Sequence, residues 1–105
     1  MSKRAPPDLR VLLGQEVKLD EVVYPSRFQY DNIIINILEI TEVPVPNGKE
    51  FFVVVQISDG KHTTRPFTIP CKNTHDFVQK LRIECMKFRF TKRVIPPAHF
   101  DKIIR

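Results

Sequence analysis

Histidine and cysteine are the residue types here with the broadest chemistry, and the 105-residue chain has five of them. His62, His75 and His99 are not spaced as an HxH or HxxxH metal pair. Cys71 and Cys85 are fourteen positions apart and form no CxxC motif, so the spacing of a zinc site is missing. Cys71 precedes His75 by four positions, which would serve a nucleophilic pair only if a helix start brought them together. Two buried free thiols in a reducing compartment are the favoured interpretation, and a single disulfide is the alternative.

Other signatures of catalysis are missing from the sequence. Its three glycines, Gly14, Gly48 and Gly60, are each explained by a turn and form no phosphate-binding loop. Glu39 and Glu42 are typical of the solvated side of a strand. The sequence therefore predicts a non-catalytic protein with no cofactor and no metal ion.

Positive charge is concentrated in the last third of the chain. The formal net charge is +5, yet residues 1–70 hold eight Lys or Arg against nine Asp or Glu. Residues 71–105 hold nine Lys or Arg against three Asp or Glu. This asymmetry favours a polyanionic partner, with nucleic acid first among them. The alternative is an ordinary solvated surface that keeps the protein soluble.

Basic side chains are interleaved with aromatic rings in two parts of the sequence. Lys80 to Arg93 contains six cations and one carboxylate, and a second cluster lies along the predicted sheet. Lys and Arg neutralise phosphates and release counterions, while aromatic rings stack on unpaired bases. The residues predicted to contact nucleic acid are Arg27, Phe28, Tyr30, Lys49, Phe52, Lys61, Arg65, Lys80, Arg82, Lys87, Arg89, Phe90, Lys92 and Arg93.

The same aromatic rings also fit a structural role. Phe88 is expected in the core, whereas Phe90 fits a core and an exposed position about equally. Adjacent Phe51 and Phe52 must point to opposite faces of a strand, so one is core and the other faces out or lies under a cover.

Alternating and β-branched residues predict the strands that carry these side chains. Asn32 to Val43 and Glu50 to Ser58 are predicted strands, joined by a turn rich in proline with an Asn-Gly pair. An Asp-Gly turn then leads into a third strand, His62 to Ile69, whose Pro66 requires a sheet edge or a bulge. Two successive hairpins predict an antiparallel meander of about four or more strands.

The hydrophobic period changes from two to that of a helix after the third strand. Asn73 or Thr74 can cap the start of this helix. Apolar side chains then recur at helical spacing, at Phe77, Leu81, Cys85 and Phe88. The helix is predicted to run to about Lys87. The alternative ends it near Glu84 and makes Met86 to Thr91 a strand.

These elements predict the α+β class: a small antiparallel sheet followed by one C-terminal amphipathic helix and a tail. Residues 1–9 are predicted to form a flexible basic arm, 10–95 a single domain and 96–105 a docking tail. Residues 10–24 favour short strands joined at Gly14. The chain shows no secretory signal and no apolar run of membrane-spanning length. We therefore expect an intracellular protein, cytoplasmic or in the nucleoid or nucleus, without a membrane partner.

The order of these elements resembles the single-stranded DNA-binding domains of the transcriptional positive-cofactor family and its Whirly-like relatives. The resemblance rests on Arg27-Phe28 leading into Ile33 to Ile40, and on Arg65 to Ile69 running into the helix at Asn73 to Leu81. It covers roughly residues 22–90. The chain differs from the family in its VPVPNGKE turn, its Pro66 and its C-terminal tail. The resemblance implies a curved antiparallel sheet that holds unpaired strands with Lys, Arg and aromatic side chains, and dimers formed through the helix.

The sequence thus predicts a non-catalytic protein that binds single-stranded DNA or RNA, with a homodimer or a larger assembly as its state. The alternative is a protein–protein interaction module, or a small subunit of a ribonucleoprotein or transcription assembly. That alternative is motivated by the apolar tail at Ile103 and Ile104 and by the proline-bounded segments at both ends.

Overall fold

The computed structural model describes residues 7–9 and 19–93 of the chain. A short 3-10 turn at Leu19–Glu21 is followed by strands β1 (Ser26–Tyr30), β2 (Ile33–Val45), β3 (Gly48–Ser58) and β4 (Phe67–Cys71), and then by helix α1 (Thr74–Thr91). The strands form one antiparallel sheet in the order β1-β2-β3-β4. The predicted α+β architecture, a meander followed by a single C-terminal helix, is confirmed. No helix among the described residues has the length and apolar character needed to cross a membrane.

Tight turns set the register of the sheet. Asp31 adopts a left-handed conformation (φ 54°) in the two-residue turn between β1 and β2, as aspartate tolerates better than most residues. Gly48 has φ 139° at the β2–β3 turn, where the Asn-Gly pair predicted one. The pairing of β2 with β3 shifts by one residue between Ile37 and Glu39, so Leu38 lies in a bulge.

The core lies between the sheet and α1. Alternate residues of the strands point toward α1 and are buried, whereas their neighbours on the other face are half-buried or exposed. The helix buries the face that the helical periodicity predicted, including Phe88, which is 1% exposed. The main members of this core are Ile33, Ile35, Ile37, Val53, Val55, Ile57, Phe67, Ile69, Cys71, Phe77, Leu81, Cys85 and Phe88.

Helix α1 begins and ends where local chemistry allows it. The Asn73 side chain accepts a hydrogen bond from the Asp76 backbone N–H at 2.8 Å, so the predicted cap is confirmed. The helix runs to Thr91, four residues beyond its predicted end, and the alternative strand at residues 86–91 is wrong. Phe88 continues the buried helical face, while Met86 and Phe90 point into solvent.

The third predicted strand is displaced toward the C-terminus. Residues 59–66 form a loop in which the Thr64 hydroxyl accepts a hydrogen bond from the Ile57 backbone N–H at 3.1 Å. This side chain replaces a regular ladder partner, and β4 begins only after Pro66. Strand β4 is an edge strand, as the proline predicted, and it also contains Pro70.

Residues 7–9 belong to the folded domain rather than to the predicted arm. The Leu9 N–H donates to the Gln29 carbonyl at 2.7 Å, and the Gln29 N–H donates to the Pro7 carbonyl at 2.8 Å. Leu9 is fully buried. The rest of the predicted arm, the Gly14 turn and the tail at 96–105 lie outside the described residues.

Candidate functional site

Two of the predicted nucleic-acid contacts tie the end of α1 to the hairpin turns. Arg89 donates to the Asp31 carboxylate at 3.0 Å, and its guanidinium lies 5.5 Å from the centre of the Tyr30 ring. Lys92 donates to the Asp59 carboxylate at 2.8 Å. Both contacts link α1 to the hairpin turns. The Lys92–Asp59 pair is mostly buried, whereas the side chains of the Arg89–Asp31 pair are 34% and 56% exposed, so that pair contributes less.

The Asp59 carboxylate accepts several hydrogen bonds at the start of the β3–β4 loop. It accepts hydrogen bonds from the backbone N–H groups of Lys61 at 2.9 Å and His62 at 2.7 Å, besides the bond from Lys92. Burial alone would raise the pKa of this carboxyl, but the His62 N–H, Lys92 and the Lys61 N–H together lower it well below its usual range. The His62 ring lies beside it, with 3.8 Å between Nδ1 and Oδ1. The hydrogen bonds that Asp59 accepts close the β3–β4 turn and fasten it to α1.

Other predicted cations also have partners close by. The Lys49 Nζ lies 2.7 Å from Glu42 Oε1, and the Lys87 Nζ lies 3.5 Å from Glu84 Oε2. Lys80 donates to the Pro70 carbonyl at 2.6 Å. The Lys49–Glu42 pair is exposed, where an ion pair contributes little and exchanges readily for another anion, and Lys87 is exposed although Glu84 is mostly buried. These lysines therefore remain usable for binding, as does Arg89 in its exposed pair with Asp31, whereas Lys92 is less exposed.

Phe28 does not face solvent, contrary to its predicted role as a contact. Its side chain is 7% exposed and belongs to the core on the side of α1. The alternation of β1 turns Arg27 to the opposite face. Tyr30 is half-buried beside Arg89, so neither β1 aromatic is an open stacking platform.

One surface that could bind a ligand is the sheet face that points away from α1, which we call the open sheet face. Strand register places Arg27, Asn36 and Gln56 in one row across β1, β2 and β3. Phe52 points to the same face, between Thr41 of β2 and Pro70 of β4, and is half-buried. A guanidinium, two amides and an aromatic ring thus share one face.

The β3–β4 loop carries two further predicted cations, one of which follows a direct contact with that row. The Gln56 amide donates to the Thr64 carbonyl at 2.8 Å, and Arg65 follows directly with an exposed side chain. Lys61 is exposed at the tip of the same loop. The loop therefore continues the row of hydrogen-bonding groups toward positive charge.

The second surface is the outer side of α1. Ile83, Met86 and Phe90 are 50%, 65% and 70% exposed, and their spacing of three and four residues puts them on one face. We call these three residues the helix stripe. Arg82 and Arg93, three turns apart, lie along one side of it, and Lys87 lies along the other.

The sequence identified the flanking cations but missed the stripe. Phe90 fits either position from sequence alone, and Ile83 and Met86 carry no charge or aromatic ring that would mark them as contacts. The available signal is helical phase, since Ile83 and Met86 lie within the predicted helix and opposite Phe77, Leu81 and Cys85. Phe90 joins this face because the helix continues past Lys87.

In the part of the chain that the structure describes, the cysteines and histidines do not gather into a cluster of metal ligands. No group of three or more potential metal ligands occurs there. Cys71 and Cys85 are free and buried, as predicted. Burial raises the pKa of the Cys71 thiol to about 11 and that of Cys85 to about 12, so both remain protonated and unreactive near neutral pH.

Several predicted site residues therefore lie on two separate surfaces, the open sheet face with its loop and the outer side of α1. The others do not, since Phe28 is buried and Arg89 and Lys92 contact carboxylates of the turns. The resemblance to single-stranded DNA-binding domains rests on the sequence pattern. No protein-family model, no curated protein and no solved structure matches this chain.

Proposed function

We propose that the protein binds single-stranded nucleic acid, without catalysis, on the open sheet face. The observation that carries the proposal is the row formed by Arg27, Asn36 and Gln56 across three strands, on the same face as Phe52. Each of these residues supplies an interaction that an unpaired strand needs.

The chemistry of the row fits an extended strand rather than a duplex. The Arg27 guanidinium can bind a phosphate in a bidentate manner, and the amides of Asn36 and Gln56 present both donors and acceptors to base edges. Phe52 lies four residues from Gln56 along β3, about 13 Å at the rise of a strand. A base stacked on its ring would contribute about 1–3 kcal/mol. Accessible base edges and a stacking ring together favour unpaired bases.

The electrostatics predict modest affinity. Arg27 is an exposed cation on this face, and the adjoining loop adds the exposed Lys61 and Arg65, but Glu39 lies on the face as well, opposite Val54. With few phosphates neutralised, we expect dissociation constants of about micromolar or weaker at physiological salt. Affinity should also fall with salt less steeply than in a densely basic protein.

Fluorescence anisotropy with labelled single-stranded DNA, single-stranded RNA and the corresponding duplex tests the proposal, over a salt series from low to physiological. The Arg27→Ala and Arg65→Ala variants should each weaken single-strand binding and reduce the slope of log K against log salt by about 0.7 per lost phosphate contact. Phe52→Leu should reduce affinity for single strands about tenfold while changing duplex affinity little.

Arg82→Ala is the matched control, because it removes the same charge from the outer side of α1. It should leave single-strand affinity nearly unchanged. Binding that is absent at low salt, or that Arg82→Ala weakens as much as Arg27→Ala, would refute the open sheet face as the binding surface. Urea midpoints of each variant show whether a loss of binding reflects loss of folding.

A further inference from the structure

We propose that the helix stripe is a docking site for an acidic amphipathic helix of a protein partner. This surface is separate from the open sheet face, and the proposal stands whether or not the protein binds nucleic acid. Its basis is an exposed apolar line on α1 bordered on both sides by positive charge.

The stripe has the form of a helix-recognition surface. Ile83, Met86 and Phe90 cover two helical turns, about 10 Å along the axis. Scattered exposed apolar side chains are normal, but a contiguous stripe rimmed by polar groups is typical of an interaction site. Met and Phe are also well suited to such contacts, since both adapt to a partner and bury a large apolar area.

A groove beside the stripe offers a second contact surface for the partner. It runs between β4 and α1 and is lined by Phe67, Ile69, Pro70, Ile83 and Glu84, among others. Ile83 also lines the shallow concavity that contains Met86 and Phe90, so the two depressions meet at this residue. A helix laid along α1 would therefore contact the stripe and the edge of the β4 groove together, in the manner of helix-in-groove recognition.

The charge around the stripe indicates that the partner helix is acidic. From Thr74 to Arg93 the chain carries six Lys or Arg and two carboxylates. Both carboxylates pair with lysines of α1, Asp76 with Lys80 at 3.3 Å and Glu84 with Lys87 at 3.5 Å. Arg89 and Lys92 likewise pair with Asp31 and Asp59, so the positive charge beside the stripe comes mainly from Arg82 and Arg93. A partner with Asp and Glu beside its apolar residues would be complementary to these two arginines.

The same charges disfavour a second copy of this chain as the occupant. Two α1 helices pairing through their stripes would bring Arg82 and Arg93 of one copy next to the basic borders of the other. Like charges across an interface oppose association. A partner of opposite charge relieves this repulsion, so the acidic helix is the occupant that the surface favours.

The test uses a labelled helical peptide of about 15 residues, long enough to keep some helix in water, with Leu at positions i, i+3 and i+7 and Glu at the flanking positions. A second peptide with Lys in place of every Glu is the charge control. The full-length protein should bind the acidic peptide, and binding should weaken as salt increases. The Lys peptide should bind at least about tenfold more weakly.

Variants of the protein locate the site. Phe90→Ala should reduce affinity for the acidic peptide at least about tenfold, as should the double substitution Arg82→Glu with Lys87→Glu. Val23→Ala is the control, because Val23 is 80% exposed and lies outside the stripe. Phe90 is exposed, so its removal should leave the urea midpoint nearly unchanged and keep the binding result interpretable.

Three outcomes would overturn the proposal. The first is failure of the acidic peptide to bind, or equal binding of the acidic and Lys peptides. The second is a concentration-dependent dimer in sedimentation that Phe90→Ala abolishes, which would make a second copy the occupant. The third is that the acidic peptide does not bind and Phe90→Ala loses oligonucleotide binding, which would assign the stripe to nucleic acid. A loss of oligonucleotide binding confined to Arg27→Ala would instead concern the proposed function of the open sheet face and leave the stripe proposal unaffected.

Discussion

Asp59→Asn should destabilise the protein through one contact, the ion pair with Lys92. In the native turn, Asp59 Oδ1 accepts from the Lys61 and His62 N–H groups, and Oδ2 accepts from Lys92 at 2.8 Å. An amide can keep its oxygen toward the two backbone donors, but its NH₂ group then faces the Lys92 ammonium. The two side chains are only 11% and 24% exposed, so solvent screens the pair weakly. We expect a loss of about 2 kcal/mol in the free energy of unfolding, the usual value for a hydrogen bond to a charged group.

The effect should depend on pH in a defined direction. The pKa of Asp59 is lower in the folded protein than in the unfolded chain, so its charge stabilises the fold fully above the unfolded pKa, near 4. As pH falls below about 4, the unfolded chain takes up the proton first and this stabilisation is progressively lost. The wild-type protein and Asp59→Asn should therefore differ most near neutral pH and converge in acid.

Urea unfolding followed by far-UV circular dichroism measures both effects, since the chain has no tryptophan for fluorescence. Glu42→Gln makes the same chemical change in the exposed pair with Lys49, whose side chains are 38% and 54% exposed, and should cost no more than about 0.5 kcal/mol. A double-mutant cycle with Lys92→Met isolates the coupling between Asp59 and Lys92. Equal losses in Asp59→Asn and Glu42→Gln, or a difference from wild type that stays constant from neutral pH into acid, would refute the assignment of the Asp59–Lys92 pair as the stabilising contact.

Three further measurements follow from the burial pattern of α1 and β4. Phe88→Ala should lower the free energy of unfolding in urea by about 3–5 kcal/mol because the ring is fully buried. Phe90→Ala should change it by less than about 0.5 kcal/mol, and similar losses for both variants would contradict the observed helix phase. Asn73→Ala should cost about 1 kcal/mol through loss of the cap, and a neutral result would mean that the Asp76 N–H finds another partner. Cys71 and Cys85 should react with an aromatic disulfide reagent only as fast as the protein opens, and rapid reaction in native buffer would contradict their burial.

The strands and the helix could be predicted because each has a local signal. In β2 and β3 that signal is the density of β-branched residues, since Ile33 to Ile35 and Val53 to Val55 are apolar on both faces and only their burial alternates. The end of α1 is harder to predict, because the order Met86, Phe88, Phe90 fits both the period of a strand and the period of a helix. Only Phe88 is buried, in phase with Cys85 one turn earlier, and that phase follows from packing on the sheet.

The predicted start of β4, at His62, is wrong for a different reason, since β4 begins at Phe67. A polar side chain, the Thr64 hydroxyl, takes the place of a backbone acceptor opposite Ile57, and Pro66 lacks the N–H that would continue the ladder. Both features suspend regular pairing in a segment whose composition is typical of a strand. Phe28 belongs to a basic and aromatic cluster in the sequence, which predicts an exposed contact. The face of the sheet that it occupies is set by the register of β1 on β2, in which Ser26 pairs with Ile37, and a local pattern does not reveal that register.

The basic residues show why a count of charges overstates a binding site. Arg89 and Lys92 meet Asp31 and Asp59, which precede them by 58 and 33 residues, so no local pattern reveals these partners. These two contacts link α1 to the hairpin turns, whereas Arg82 and Arg93 are exposed along the helix stripe. The positive C-terminal third consequently has two physical roles. Part of it builds the domain, and only the remainder is placed to attract a partner.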